Sequence, residues 1–418
     1  MNTLKLALRG LSRNRRRSLV TLLAIAFGFA AIALFAGYTH NVYSGLARQS
    51  IHGELLGHLT LSRLGMDREG KLHPERYLFT PDDIRRIEAI LKQEDHIRLV
   101  APRLALSGLI SNGRASTIFI AEGMEPEAMK KLQENSGLSA QQKASGFYTK
   151  FFKRLDPAQP ESIEVSAGLA EMLHLPVGSQ AALLANTLTG QANALDVTVG
   201  GTFITGNAGT NDKFAFVQLA LARSLLDAEG RADRLTVLLD DVNETETMRV
   251  RLQEKLKSFD LKIATWQELS SFYTQVHGMF DMIFGFIFSI VLTVVLMSVT
   301  NSMGMTVIER TREIGTLRAI GLKRIGIIEL FAFEALLLSL FGCLSGFLLT
   351  LCVRSGINIA HISYVPPNSD GPVLLLVDLD WGHIAFTGLL MTGVSMLAAL
   401  LPARRAARQP IIDALGHV

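Results

Sequence analysis

Residues 309–324 read ERTREIGTLRAIGLKR, from Glu309 to Arg324, and this stretch decides how the rest of the chain is laid out. Its acidic residues Glu309 and Glu313 come first. Its basic residues Arg318, Lys323 and Arg324 come last, the order that a helix dipole favours. Gly315 and Gly321 allow the chain to enter and leave sharply. An uncharged run, 282–308, ends directly before the stretch, and apolar character begins directly after it at Ile325. A plain cytoplasmic loop needs basic residues but not acidic ones. Glu309, Arg310, Arg312 and Glu313 therefore read as a docking face on a short helix under a membrane, a lever that takes force from a separate protein.

Outward from this lever the chain is organised by apolar runs. It has 418 residues, of which 49% are hydrophobic, and four runs are long: 18–38, 282–308, 335–353 and 381–403. The third extends back to Ile325, interrupted by Glu329 and Glu334. Each run reaches or approaches the ~20 residues that cross ~30 Å of hydrocarbon. Lys5, Arg9, Arg13, Arg15, Arg16 and Arg17 precede the first, and Arg404, Arg405 and Arg408 follow the fourth, whereas the loop 354–380 carries only Arg354. This asymmetry puts both termini and 309–324 inside, and it accounts for the basic run at 13–17 without nucleic acid. Both cysteines, Cys343 and Cys352, fall in the third span, so the outer domain has no disulfides and needs a self-sufficient core.

The expected layout follows. Residues 1–17, with Leu4, Leu8 and Leu11 on one face, form a cytoplasmic amphipathic elbow helix. The uncharged run that follows is too long for the apolar core of a signal peptide. Residues 18–39 are the first span and 40–268 a large outer domain. Residues 269–308 form one stalk-and-span helix, 309–324 the coupling helix and 325–353 the third span. Residues 354–380 are an outer loop, 381–403 the fourth span and 404–418 a cytoplasmic tail. Within the outer domain, short strands and helices alternate without a sustained βαβ rhythm, which predicts an α+β fold of two lobes. Expected elements include a helix at 81–92 capped by Thr80, a hairpin turning at Ser111-Asn112-Gly113, a helix at 219–226 and a helix at 244–258.

Few residues suggest chemistry. Gly65–Leu72 (GMDREGKL) approaches a phosphate-binding loop, but Leu72 stands where a metal-binding hydroxyl is required and His73-Pro74 follows where a helix should open. Hydrolase and zinc-protease motifs are missing, so no catalytic residue and no metal ligand is assigned. Glu329 and Glu334 are costly within a span and read as carboxylates bonded to neighbouring helices or to an Arg or Lys near the interface, ahead of an ion relay. Asn301 reads as an interhelical hydrogen-bonding residue. Gly342 and Gly346, with Ala24 and Gly28, have the small-residue spacing that lets helices approach, within one subunit or between two. The Pro366-Pro367 loop could touch cargo or simply connect two helices.

Glu309–Gly321 resembles the signature after the second membrane helix in FtsX/MacB/LolC-type permeases of ABC transporters. Phe333-Glu334-Ala335-Leu336-Leu337 into Gly342 is similar to the start of their third span, 7–19 to their N-terminus and 402–415 to their tail. Gly57-His58-Leu59, Pro102-Arg103-Leu104 through Ser111-Asn112-Gly113, and Ala185-Asn186-Thr187 look closer to the lipoprotein-releasing branch. The resemblance implies a bacterial inner-membrane α+β protein with four membrane helices and a two-lobed MacB-like periplasmic domain. It implies that Glu309, Arg310, Thr311, Arg312, Glu313, Ile314, Gly315, Arg318 and Gly321 dock on a separate ATPase subunit, which binds ATP and Mg while this chain binds no cofactor. Other implied partners are a second permease copy, alike or different, membrane lipids, and a periplasmic adaptor or lipoprotein. The implied function is mechanotransmission, and the expected cargo to be moved or extracted is lipoprotein or lipid-like. The alternatives are drug or peptide efflux, or signalling to a periplasmic cell-wall hydrolase.

Overall fold

The computed structural model describes residues 15–70, 73–134, 154–205, 209–365 and 373–411. Most of the elbow, the Pro366-Pro367 segment, Leu72 and the end of the tail lie outside the described residues. In chain order the first elements are α1 (Arg15–Arg48), β1 (Leu59–Arg63), α2 (Pro81–Leu91), β2 (Ile97–Ser111), β3 (Ser116–Met124) and α3 (Pro126–Glu134). Next come β4 (Ser162–Ser166), α4 (Ala167–Met172), β5 (Gln180–Asn186), β6 (Ala192–Phe203), β7 (Phe214–Gln218), α5 (Leu219–Leu226), β8 (Arg234–Leu239), α6 (Thr245–Lys255) and β9 (Leu261–Thr265). The chain then forms α7 (Ser271–Glu309), α8 (Thr311–Ala319), α9 (Arg324–Ala360) and α10 (Trp381–Arg408).

The chain divides into two compact units. One contains residues 1–43, 276–363 and 374–418. Among the described residues, α1, α7, α9 and α10 are long and apolar enough to cross a membrane. Their shared core follows from helical spacing. Val295, Val299, Met303 and Val307 recur every fourth residue on α7, and Ile327, Phe331 and Ala335 do so on α9. Ile25 and Ile32 of α1 and Met391, Ala398 and Ala399 of α10 complete it. The 39 residues of α7 make an unbroken rod of about 58 Å, close to twice a ~30 Å hydrocarbon layer. α1 runs past the expected end of the first span at residue 39, through Arg48 into a π-helical turn at Gln49–Gly53. The reason is that backbone hydrogen bonding does not require apolar side chains, so residues 40–48 continue the helix although their composition turns polar.

The other unit, residues 44–275 and 364–373, has two lobes built around β2. Residues 104–111 of β2 pair with β3, and 109–111 also pair with β5. The circuit β2–β3–β7–β4–β6–β5 returns to β2 and closes a barrel. Closure leaves no free edge in that circuit. Its interior holds Leu106, Ile110, Phe119, Ile163, Val165, Leu183, Val199 and Val217. Residues 97–103 of β2 pair instead with β8, which continues through β1 to β9. This second sheet is covered by α2 and α6 through Ile84, Ile87, Leu91, Met248 and Leu252. Thr80 caps α2 in a reciprocal box with Asp83, as expected from the sequence. The strand β9 carries no turn signal strong enough to have been read from the sequence.

His58 sits where β1 meets β8. Its Nδ1 accepts the Leu239 backbone N–H at 3.0 Å, and the His58 backbone N–H donates to the Val237 carbonyl at 2.9 Å. Burial, reinforced by nearby His52, holds the imidazole at about 4, against an ordinary value of 6.5. Between those values the unfolded chain binds the proton and the folded chain does not. Stability present above about pH 6.5 is therefore lost as the pH falls toward 4, by about 3 kcal/mol for this group. Thermal unfolding of the full-length protein in detergent should show this acid limb, and His58→Gln should flatten it. An unchanged limb would assign the acid sensitivity elsewhere.

Candidate functional site

Arg310 is the single residue between α7 and α8, with backbone angles φ −106° and ψ 12° that interrupt the helix. α8 then supplies an inner and an outer face. Ile314 and Gly315 are buried, and Thr311 is buried with its hydroxyl donating to the Val307 carbonyl at 2.9 Å. Arg312 and Glu313 are exposed. The expectation that Gly315 serves as a sharp entry is corrected: it lies mid-helix on the buried face. Gly321 does serve as the exit, with φ at +104°, a conformation that costs most side chains strain.

Ion pairs tie this region together. Arg17 of α1 meets Glu309 at 2.9 Å, with both side chains more than a third exposed. Arg310 Nε donates to Glu313 Oε2 at 2.8 Å, and Arg310 Nη1 to Glu334 Oε1 at 2.5 Å. Arg318 donates to the Gln409 carbonyl beyond α10. Glu334 is thus a buried carboxylate paired with an arginine, whereas Glu329 is exposed. Asn301 is also exposed, and the polar tie from α7 to α10 is made by Thr300, whose hydroxyl donates to the Ala398 carbonyl at 3.5 Å. A feature the sequence reading missed is apolar: Ile320 is 80% exposed, and Leu322 and Ile325 stand out beside it. Their neighbourhood reads as charged, and periodicity says nothing about side chains in a turn.

The small residues are used inside this chain. A Cβ on Gly346 would lie 2.6 Å from the Ala26 carbonyl and 3.0 Å from Phe29 Cβ, and one on Gly342 would lie 2.7 Å from Ile25 Cγ2. Gly28 closes on Val291 in the same way, at 2.7 Å, while Ala24 is half-buried. Gly346→Val should separate α9 from α1 and cost about 1–3 kcal/mol by overpacking. Gly356→Val on the same helix meets open space and serves as the control. The readout is the fraction of monodisperse protein surviving a heat step in detergent; equal losses for the two variants would refute the close packing.

The outer unit holds a second polar cluster that sequence did not single out. Arg103 is 1% exposed, at the residue where β2 leaves β8 for β3. It donates to the Leu55 carbonyl at 2.5 Å and pairs with Glu122. Arg234 lies 3.5 Å from Glu122 and 2.8 Å from Asp233, whose other oxygen accepts the Ala105 N–H at 3.2 Å. Burial pulls the Arg103 guanidinium down to about 9, which leaves it protonated at neutral pH. Among the described residues no group of His, Cys, Asp and Glu is arranged to hold a metal ion.

Comparison with known proteins agrees with this anatomy. Residues 18–255 match the MacB-like periplasmic core domain, and residues 285–411 match the FtsX-like permease C-terminal family. The lipoprotein-releasing system transmembrane protein LolC of Neisseria meningitidis serogroup B is 23% identical over 429 aligned residues, covering 98% of this chain and 97% of that protein. The pyoverdine export ATP-binding/permease protein PvdT of Pseudomonas entomophila is 33% identical over 176 residues, 42% of this chain but only 25% of that longer protein. Among solved structures, the periplasmic region of MacB from Actinobacillus actinomycetemcomitans aligns with a TM-score of 0.33 and 13% identity, covering 53% of this chain and 92% of that one.

Proposed function

The chain belongs to the family of ABC-transporter permeases that join a MacB-like periplasmic core domain to an FtsX-like C-terminal segment, and from that premise we infer that it acts on lipoprotein or lipid-like cargo by mechanotransmission. It is a multi-pass inner-membrane subunit with its large domain in the periplasm. A separate ATPase binds ATP and Mg on the cytoplasmic side and docks on α8, with Arg312, Glu313 and the projecting Ile320 as the contact. A second permease copy completes the membrane part. α7 carries the resulting motion outward, because a helix hydrogen-bonded without interruption from Ser271 to Glu309 resists bending along its length.

The observation that carries the cargo assignment is the end-to-end match to LolC, which spans nearly all of both chains. The likeness to PvdT favours export as the second reading, over less than half of this chain. Purification in a mild detergent, followed by identification of bound proteins and lipids, separates them. An ABC ATPase together with acylated lipoprotein is expected. Recovery of a periplasmic adaptor and an outer-membrane channel instead would replace the cargo assignment with export.

A further inference from the structure

We propose that Arg310 is a positioning residue whose guanidinium, clamped between Glu313 of α8 and Glu334 of α9, makes the docking helix and the third membrane helix move as one body. The proposal rests on the docking of an ATPase at α8 and extends it to the path by which force enters the membrane bundle.

The backbone alone would make a poor transmitter at this point. Arg310 departs from helical angles between α7 and α8, and although its N–H donates to the Thr306 carbonyl at 3.1 Å and its carbonyl accepts from the Ile314 N–H at 2.9 Å, the bend leaves α8 some freedom to tilt about φ and ψ. The side chain removes that freedom. It returns one bond to α8 through Nε and Glu313 at 2.8 Å, and sends a second to α9 through Nη1 and Glu334 at 2.5 Å. A planar guanidinium with donors in a fixed fork holds two carboxylates in one relative orientation, which a point charge cannot do.

Burial decides that this clamp stays shut during movement. The Glu334 side chain is 3% exposed and that of Arg310 12%. Opening the pair would leave a buried carboxylate without its counter-charge, on a helix whose Ile327, Phe331, Ala335 and Leu338 belong to the apolar core. The nearby Arg17–Glu309 pair is solvated and opens at little cost. A push on α8 is therefore delivered to α7 through the chain and to α9 through Arg310. Glu334 is not needed as an ion carrier in this account: its bonded partner is a permanently charged arginine, which does not relay protons.

The test uses the complete complex of permease and ATPase in lipid nanodiscs, with a spin label on the exposed end of α8 at Ala319 and another at the outer end of α9 at Ile359. Arg310→Gln, Glu334→Gln and their combination are compared with the parent, and Arg310→Lys is the conservative variant. Allosteric coupling usually corresponds to about 5–150-fold effects on equilibria, so the ratio of shifted to unshifted label distances with nucleotide bound should fall by about fivefold or more in each Gln variant. In Glu334→Gln the ATPase should still co-purify in the parental ratio, because Glu334 is buried on α9 and the Arg310–Glu313 bond on α8 is kept. The double variant should be no worse than the poorer single one, as expected for two halves of one contact. Arg310→Lys, which restores charge but not the fork, should recover only part of the response. A full nucleotide-driven distance change in Arg310→Gln or Glu334→Gln, or losses that simply add in the double variant, would overturn the clamp. Should Arg310→Gln fail to assemble, Glu334→Gln, which keeps shape and a hydrogen-bond acceptor, decides the question alone. Docking is judged on a different sample, Ile320→Asp, so its failure is read separately from that of the clamp.

Discussion

Arg103→Ala is expected to destabilise the periplasmic domain by about 3–5 kcal/mol, the usual consequence of leaving one half of a buried ion pair behind. The site explains the size of the effect. β2 is shared by two sheets that part between Arg103 and Leu104, and at this wedge the Leu55 carbonyl and Glu122 meet the Arg103 side chain. Arg103 fills that wedge, bonding the Leu55 carbonyl and Glu122 together. Without it Glu122 is left with the longer contact to Arg234, at 3.5 Å. Hydrogen exchange on the full-length protein in detergent reads the outcome locally, at the amides of β2 and β8. Arg103→Met combined with Glu122→Gln should recover much of the loss, since it removes the stranded charge and keeps the volume. A loss for Arg103→Ala below about 1 kcal/mol would mean that water reaches the wedge and that the cluster is effectively a surface one.

Ile320→Asp is expected to strip the ATPase from the complex while leaving the permease folded and inserted. Ile320 is 80% exposed in this chain, so its replacement costs the permease almost nothing. In an interface the isoleucine would bury about 2 kcal/mol of apolar surface, and an aspartate there would also need desolvation. Together these effects weaken binding by about a hundredfold or more. The measurement is the ATPase-to-permease ratio after purification, with transport followed in parallel. A parental ratio would show that the turn after α8 is not a contact. Contrasted with Glu334→Gln, which should keep the ATPase and lose its effect, the variant separates attachment from transmission.

Much of the plan was legible in one dimension. Four apolar runs and the placement of Arg and Lys at their ends set the topology, because hydrocarbon thickness and charge asymmetry act on each segment alone. The capped helix at Thr80, the turn at Asn112-Gly113 and the long helix beginning near Leu269 were readable for the same reason: their determinants are neighbours in sequence. The π-turn after α1, the role of Gly315 and the protrusion of Ile320 were not, since each depends on what lies across from it.

By itself, then, the sequence determined the four-helix layout, the two-lobed α+β character of the domain between the first two helices and a short charged segment between the second and third. All of these are written in local period, composition and charge order. Only the tertiary structure decided that β2 closes a barrel with one half and joins a second sheet with the other. It alone brought Arg310 to Glu334 across 24 residues, and turned Gly342 and Gly346 toward α1. The physical reason is that a strand's partners and a buried charge's counterpart are chosen by packing between distant segments, where burial makes an unpaired group too costly to leave.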